Sequence, residues 1–267
     1  MKPLKSSMDV IKLLPKTNCR DCGQPTCMAF AVAVIKGEKG LDACPHLDAQ
    51  VIDQYQSPAM EVSAAQIEQQ KAEEALKQKI RELDMLERAE LLGAAISGDC
   101  LVIRCLGKDF LVDPNGEIKS ECHIIPWVTG PILNYVLKAS GTTPTGDWVP
   151  FRELKGGPAW GRFFYHRCEK ALKKVIDQFT NLFEYMIDVF NAKPADDAFQ
   201  SDIAVVIHPL PKLPILICYW KSDGDLEASL NLFFDAKAED NLEIEQIYTL
   251  GVGLVNMFEK ISQTHGE

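Results

Sequence analysis

No stretch of this chain approaches the roughly 20 consecutive apolar residues that a membrane helix needs, so membrane insertion is not expected. The opening residues, Met-Lys-Pro-Leu-Lys-Ser-Ser-Met, have no apolar signal-peptide core, which predicts a cytoplasmic location. Positive charge is scarce. Lysine and arginine number 28 against 38 aspartates and glutamates, a net charge of −10. With no long basic run, nucleic acid is not an expected partner. The common nucleotide and hydrolase signatures are missing too: there is no G-x-G-x-x-G, Walker loop, G-x-S-x-G or H-E-x-x-H. Asp223 and Asp225 flank Gly224 without the remaining ligands of a calcium loop, so they predict a turn. There is no internal repeat and no low-complexity tract. Across 267 residues, 46% hydrophobic and 25% charged, the composition is that of a soluble globular protein with one sizeable domain and a smaller unit.

Cysteine, by contrast, is concentrated near the N-terminus. Cys19, Cys22, Cys27 and Cys44 are spaced C-x2-C-x4-C-x16-C. Four thiolates gathered this way make a closed metal site, and the pattern predicts a cubane iron–sulfur cluster. Gly23 and Pro25 let the backbone turn tightly between ligands, and Pro45 follows the last one. Zinc also accepts four cysteines, usually from two C-x2-C pairs; only one such pair occurs here. Disulfides suit exported proteins, and nothing here resembles an exported one. The apolar, alanine-rich run after Cys27 predicts a short helix ending at Gly37 or Gly40. Its N-terminus would present N–H groups to an anionic core. A unit of about 50 residues buries little apolar surface, so bound metal is expected to supply much of its folding energy.

The pieces Leu14-Pro15-Lys16-Thr17-Asn18-Cys19, Cys22-Gly23, Pro25-Thr26-Cys27-Met28-Ala29-Phe30 and Cys44-Pro45 resemble the four-cysteine 4Fe-4S domain of the corrinoid iron–sulfur protein large subunit. That protein works with CO dehydrogenase/acetyl-CoA synthase. The same domain type occurs in the B subunit of the Rnf electron-transport complex. The resemblance implies one 4Fe-4S cluster held by Cys19, Cys22, Cys27 and Cys44. It covers about the first fifth of the chain. The corrinoid protein continues into a barrel and a cobalamin domain, whereas this chain has no Asp-x-His-x-x-Gly cobalamin motif. The analogy therefore implies passing an electron rather than carrying a methyl group. The partner it implies is a redox protein, such as a corrinoid or other low-potential enzyme.

Between Pro58 and Leu92 the chain becomes rich in Ala, Glu, Gln, Lys and Leu, which are strong helix formers. Leu76, Ile80, Leu83 and Leu86 predict an apolar stripe that docks on the following domain or forms a helical dimer seam. Glu73–Lys77 and Asp84–Arg88 are spaced as i,i+4 ion pairs. Gln56, Ser57 and Pro58 predict a hinge on which the cluster unit could swing. The expected organisation is a cluster domain at 1–57, a helical linker at 58–92 and an α+β domain at 93–267.

In that last domain the expected strands are Cys100–Cys105, Asp109–Val112, Glu117–Ile125, Ile203–His208, Ile215–Trp220 and Ser229–Phe234, with a turn at Asp113-Pro114-Asn115-Gly116. Helices are expected at Pro131–Ala139, Tyr165–Phe190 and Leu242–Ile261. Local strand pairing with segregated helices predicts an α+β fold. The segments Trp148-Val149-Pro150-Phe151-Arg152-Glu153-Leu154, Gly156-Gly157, Leu210-Pro211-Lys212-Leu213-Pro214 and Phe233-Phe234-Asp235 resemble an uncharacterised family that occurs fused to the same four-cysteine unit; it implies no activity.

Five more cysteines, Cys100, Cys105, Cys122, Cys168 and Cys218, raise the question of a second metal site, with Cys122-His123 and His166-x-Cys168 as candidate pairs. Cys100 and Cys105 on one strand would face opposite ways, and buried free cysteines are usually inert. Arg152, Glu153, Gly156 and Gly157 would make either an anion pocket or a surface ion pair beside a turn. His208, before Pro209, is expected to be structural. Taken together, the sequence predicts an electron-transfer protein rather than an enzyme in its own right. The alternatives are an enzyme whose C-terminal domain binds a substrate reduced by the cluster, or a non-redox module shaped by a cluster or zinc.

Overall fold

The computed structural model describes residues 2–4, 6–35, 39–56, 64–122, 124–179, 181–195, 198–224 and 226–265. The chain divides into two compact units, residues 1–71 and 72–267. Ser57 and Pro58 of the expected hinge, Gly37, His123 and Asp225 lie outside the described residues.

The first unit contains β1 (Lys2–Pro3), α1 (Ser7–Leu13), α2 (Cys27–Ile35), a 3-10 turn at Leu41–Ala43, α3 (Ala49–Gln54) and β2 (Tyr55–Gln56). β1 and β2 pair in parallel. α1 starts on a capping box. Asp9 N–H donates to Ser6 Oγ (3.3 Å), and the Ser6 N–H donates to Asp9 Oδ2 (3.0 Å). Its buried residues Val10 and Ile11, with Leu14, meet Phe30, Ala31 and Val34 of α2 and Leu41 of the 3-10 turn. Cys44 is buried in the same small core.

Two helices, α4 (Ala64–Ile80) and α5 (Met85–Leu92), replace the single helix expected over 58–92, of which 58–63 lie outside the described residues. Asp84 causes the break. Its Oδ1 accepts from Leu86 N–H (2.8 Å) and Glu87 N–H (3.1 Å), capping a new helix instead of pairing with Arg88. Arg88 donates instead to the carbonyls of Val136 (2.8 Å) and Ala139 (3.0 Å). The break rotates the apolar stripe, so Leu76, Ile80 and Leu83 pack on the main core while Leu86 is 70% exposed.

Next come β3 (Ala95–Ser97), β4 (Cys100–Cys105), β5 (Lys108–Val112) and β6 (Ile118–Lys119), an antiparallel four-stranded sheet in sequence order. The turn at 113–116 forms as expected: Asp113 Oδ1 accepts from the N–H groups of Asn115 and Glu117, both at 2.9 Å, and Gly116 has φ +80°. The returning strand, expected to reach Ile125, stops after Lys119. Ser120 Oγ donates to Asp109 O (2.8 Å) and accepts from Cys122 N–H (3.2 Å), ending the ladder. Pro126 then opens α6 (Pro126–Lys138), which begins earlier than expected and contains Pro131.

β7 (Trp148–Pro150) leads into α7 (Gly157–Phe164), and a π-helical turn at Tyr165–Glu169 joins α7 to α8 (Lys170–Gln178). α9 (Leu182–Phe190) follows a break at Phe179 (φ −124°, ψ 82°). The expected 26-residue helix is thus three segments. β8 (Lys193–Pro194), β9 (Ile203–Leu210), β10 (Leu213–Trp220) and β11 (Ser229–Asp235) join β7 in an antiparallel sheet ordered β7-β11-β10-β9-β8. Pro209 and Pro214 lie inside β9 and β10 rather than bounding them. A register shift between Leu213 and Ile215 absorbs the missing N–H of Pro214. α10 (Ala238–Asn241) precedes α11 (Ile244–His265), which packs against α6, α7 and α8. The fold of the larger unit is α+β, with its core between the sheets and α11.

The family-like segments are structural. Phe151 stacks on Phe164 at 3.9 Å between ring centroids, and Phe234 meets both rings edge-on at 5.8 and 5.6 Å. The buried Asp235 carboxylate accepts from Gly146 N–H (2.7 Å) and Lys237 N–H (2.9 Å). Arg152 and Glu153 form an exposed pair at 3.9 Å.

Candidate metal centre

The loop joining α1 to α2 has an unusual backbone. Lys16 (φ +58°), Asn18 (+52°), Arg20 (+70°) and Gly23 (+75°) are all left-handed. Glycine adopts this conformation without steric cost and asparagine tolerates it, whereas Lys16 and Arg20 each lose about 1–2 kcal/mol. Two such residues within five positions store strain that something must offset.

This curled loop carries Cys19 and Cys22 and delivers the chain to Cys27 at the start of α2. Asn18 ties the two ends together: its Oδ1 accepts from Cys27 N–H (2.8 Å), and its N–H points at Cys27 Sγ (3.4 Å). Gly23 N–H donates to Arg20 O (2.8 Å), closing the tight turn. Thr26 caps α2 by accepting from Ala29 N–H at Oγ1 (3.0 Å). Lys39 Nζ reaches back across the site to donate to Cys22 O. The 3-10 turn then places Cys44, whose N–H donates to Leu41 O (3.2 Å).

The four thiols are free and graded in exposure. Cys44 is buried, Cys22 and Cys27 are half-buried, and Cys19 is exposed. Among the described residues, only Cys19, Asp21 and His46 form a group of three or more Cys, His, Asp or Glu whose ligand atoms all lie within 4.8 Å of one another. No three of the four thiols meet that limit. Tetrahedral zinc with bonds of about 2.3 Å would hold its sulfurs about 3.8 Å apart. The thiols as they stand are therefore not set at zinc spacing, and four cysteine thiols are the usual donor set of an iron–sulfur cluster.

Asp21 and His46 were not predicted as site residues. His46 Nε2 lies 2.6 Å from Asp21 Oδ2, and this bond, with one from Cys19, holds the Asp21 carboxyl below its usual pKa. Asp21 sits between Cys19 and Cys22, and His46 two residues after Cys44, but nothing in that spacing pairs them. The pair clasps the first cysteine loop to the returning segment. Substituting His46 with alanine is expected to leave iron content unchanged at purification but to speed iron loss to a chelator several-fold. The absorbance decay with excess bathophenanthroline would measure it, and an unchanged rate would rule out the clasp.

Among the described residues, the other cysteines form no close group of three with further Cys, His, Asp or Glu. Cys100 lies on the half-buried side of β4, Cys105 on its buried side, and Cys168 is enclosed beside Gly251 of α11. Cys105 is near enough to Cys122 to feel its charge. His166 is exposed while Cys168 is buried, so they do not converge. His208 is half-buried, and burial together with Lys193 lowers its pKa.

Comparison with known proteins finds matches over two separate stretches of the chain. A family model described as "Putative Fe-S cluster" matches residues 14–46, and one described as "Domain of unknown function (DUF3786)" matches residues 84–257. The acetyl-CoA decarbonylase/synthase complex subunit gamma of Methanocaldococcus jannaschii is 56% identical over 43 residues, 16% of this chain and 9% of that protein. Its counterpart from Methanothermobacter thermautotrophicus is 45% identical over 58 residues, 21% of this chain and 13% of that one. The corrinoid/iron-sulfur protein large subunit of Moorella thermoacetica is 45% identical over 42 residues, 16% and 9% of the two chains. The chain thus spans only about a tenth of the length of these relatives. No solved structure matches. The N-terminal unit is an iron–sulfur unit, and no helix among the described residues is long and apolar enough to cross a membrane.

Proposed function

The chain belongs to the DUF3786 family, a domain of unknown function that here follows an iron–sulfur unit, and we propose that it is a one-electron carrier for a low-potential redox partner. Cys19, Cys22, Cys27 and Cys44 would hold one 4Fe-4S cluster. When bound, the cluster supplies a one-electron couple between its +2 and +1 states. The observation that carries this reading is the graded exposure of the four thiols. Cys44 anchors the site in the small core of the unit, and Cys19 brings it to the surface. A partner touching the Cys19 loop would come within short electron-transfer reach, while the buried side excludes water. The Asn18 N–H at Cys27 Sγ and the N-terminus of α2 stabilise negative charge on the sulfurs and so raise the potential.

The relatives that share this unit are named as subunits of an acetyl-CoA decarbonylase/synthase complex and as a corrinoid/iron-sulfur protein. They support a corrinoid protein, or another low-potential enzyme, as acceptor. Each cycle takes one electron from a reduced donor and passes one to that acceptor, with no net change in the chain. The test is anaerobic purification, metal and sulfide analysis, and a potentiometric titration followed by electron paramagnetic resonance. About four irons and four sulfides per chain are expected, with a reversible signal on reduction, at a potential below that of the nicotinamide couple. Zinc without sulfide after iron-rich anaerobic expression, or a cluster that does not cycle, would overturn the proposal.

A further inference from the structure

The loop that carries Cys19 is exposed from Lys16 through Thr17, Asn18 and Cys19 to Arg20. Lys16 and Arg20 are cations on either side of the most exposed of the four thiols. We infer that this loop is the docking rim for a redox partner with an acidic face, gripped by the Lys16 ammonium and the Arg20 guanidinium. The inference rests on the electron-transfer reading and adds to it the surface chemistry of the partner.

Charge is the first argument. Residues 12–28 hold Lys12, Lys16 and Arg20 against Asp21 alone, in a chain of net charge −10. The acids nearby are already engaged, Asp9 with Lys12 at 4.0 Å and Asp21 with His46 at 2.6 Å. Among the described residues, neither Lys16 nor Arg20 is in an ion pair or a side-chain hydrogen bond. Their charge is therefore open to an approaching surface. As long, exposed side chains they meet that surface before the half-buried Cys22 and Cys27 do. At an ionic strength of about 0.1 M the Debye length is about 10 Å, so the distant acids of the chain scarcely offset them. Charges placed at a contact in this way set encounter rate and orientation more than final affinity.

The backbone is the second argument. Lys16 and Arg20 are left-handed, at φ +58° and +70°, where glycine would hold the same turn without steric cost. Two long cations kept at strained positions beside the exposed thiol point to a use for their side chains. Asn18 between them is tied to Cys27 by its Oδ1 and its N–H, so the frame that presents them is fixed. A pre-set loop loses less freedom on docking.

The same edge offers an apolar step. Met28 follows Cys27 and is 44% exposed, and Val32, one turn further along α2, is 37% exposed. Apolar contact bordered by charge is the usual make-up of a protein interface, and methionine adapts to varied partners. This favours a protein over a nucleic acid, the other common polyanion. A nucleic acid brings no electron acceptor to Cys19, and a net charge of −10 opposes a long phosphate backbone.

The experiment uses the full chain, purified anaerobically and reduced. The acceptors are an acidic flavodoxin and a basic cytochrome c, each mixed by stopped flow at ionic strengths of about 0.1 and 1 M. In each reaction the protein loses one electron and the acceptor gains one. The flavin takes its proton from solvent, and ferric haem becomes ferrous. The test variant is Lys16→Gly with Arg20→Gly, which removes both charges while suiting the left-handed backbone. Arg167→Gln with Lys174→Gln makes the same change of net charge in the larger unit. Iron, sulfide and the reduction potential are measured on all three proteins. At the lower ionic strength the glycine variant should reduce flavodoxin about tenfold more slowly, with cytochrome c no slower. At the higher one the difference should shrink to less than about twofold. The control variant should match the original protein. Should the double variant lose iron, Lys16→Gly alone decides, with about a threefold loss expected. A cluster that does not cycle in the original protein overturns the electron-transfer reading and this inference with it. A cycling cluster overturns this inference alone if the glycine variant keeps its flavodoxin rate, if both acceptors slow equally, or if the control variant slows as much. An oligonucleotide that blocks the flavodoxin reaction at micromolar concentration would assign the rim to nucleic acid and overturn it too.

Discussion

Substituting Cys44 with serine is expected to reduce iron and acid-labile sulfide by at least about tenfold and to unfold most of residues 2–56. Two contributions act together. The first is ligation: a hydroxyl is a poor substitute for thiolate at a soft metal centre, and the other three cysteines cannot close the site alone. The second is structural. Cys44 is 6% exposed, and it packs with Leu14, Phe30 and Leu41 in a core of only a few side chains. Such a unit buries too little apolar surface to be stable by itself. It also carries the strain of left-handed Lys16 and Arg20, of order 1–2 kcal/mol each. Structural metal sites bring roughly 10 kcal/mol or more to folding, enough to exceed that strain and the small core's deficit. Loss of the metal should therefore appear as loss of amide-exchange protection in α1 and α2. Cys100→Ser is the matched control: it lies on β4 of the other unit and should keep full iron. A Cys44→Ser protein with normal iron, sulfide and protection would remove Cys44 from the site.

The cysteine pattern was legible because thiols at these spacings have few uses other than metal. The start of α2 at Cys27 was legible because glycine, proline and threonine precede an unbroken apolar run. The backbone between these cysteines was not. Nothing in Lys16 or Arg20 announces a left-handed conformation. The Asp21–His46 bond was equally hidden, since it joins residues 25 positions apart.

In the larger unit, alternation and turn residues marked most strands. The misreadings have local causes that hydrophobic pattern alone does not show. Asp84 was read as a helical partner of Arg88 when it is an N-cap, and that one bond divides the 58–92 helix. Ser120 ended a strand that its apolar pattern would have continued. Pro209 and Pro214 were read as strand boundaries, but a bulge lets a proline sit in a central strand without leaving a ladder partner unpaired. For Arg152, Glu153, Gly156 and Gly157, read as either an anion pocket or a surface ion pair beside a turn, the structure has the exposed pair, and the glycines let α7 approach its neighbours.

That role of the glycines has a large consequence. Gly157→Ala is expected to destabilise the larger unit by about 3 kcal/mol, lowering Tm by roughly 10 °C. A Cβ at position 157 would lie 2.0 Å from the carbonyl oxygen of Phe151 and 3.0 Å from the carbonyl carbon of Arg152. Both are backbone atoms, so no rotamer change relieves the clash. The Gly157 N–H also donates to Leu154 O at 2.9 Å, which fixes the start of α7 against the 150–154 turn. Relief would require moving that turn, and with it Phe151, whose ring is stacked between Phe164 and the edge of Phe234. The cost thus spreads into the aromatic centre of the core. Gly161→Ala, one turn further along α7, separates this effect from helix propensity. Its nearest neighbour is Arg152 Cβ at 3.4 Å, an ordinary contact, so the gain of up to about 1 kcal/mol for alanine in a helix should dominate. Thermal unfolding followed by circular dichroism would show opposite shifts for the two variants. Equal shifts would mean that close approach at Gly157 does not limit the packing, and the glycine pair would need another explanation.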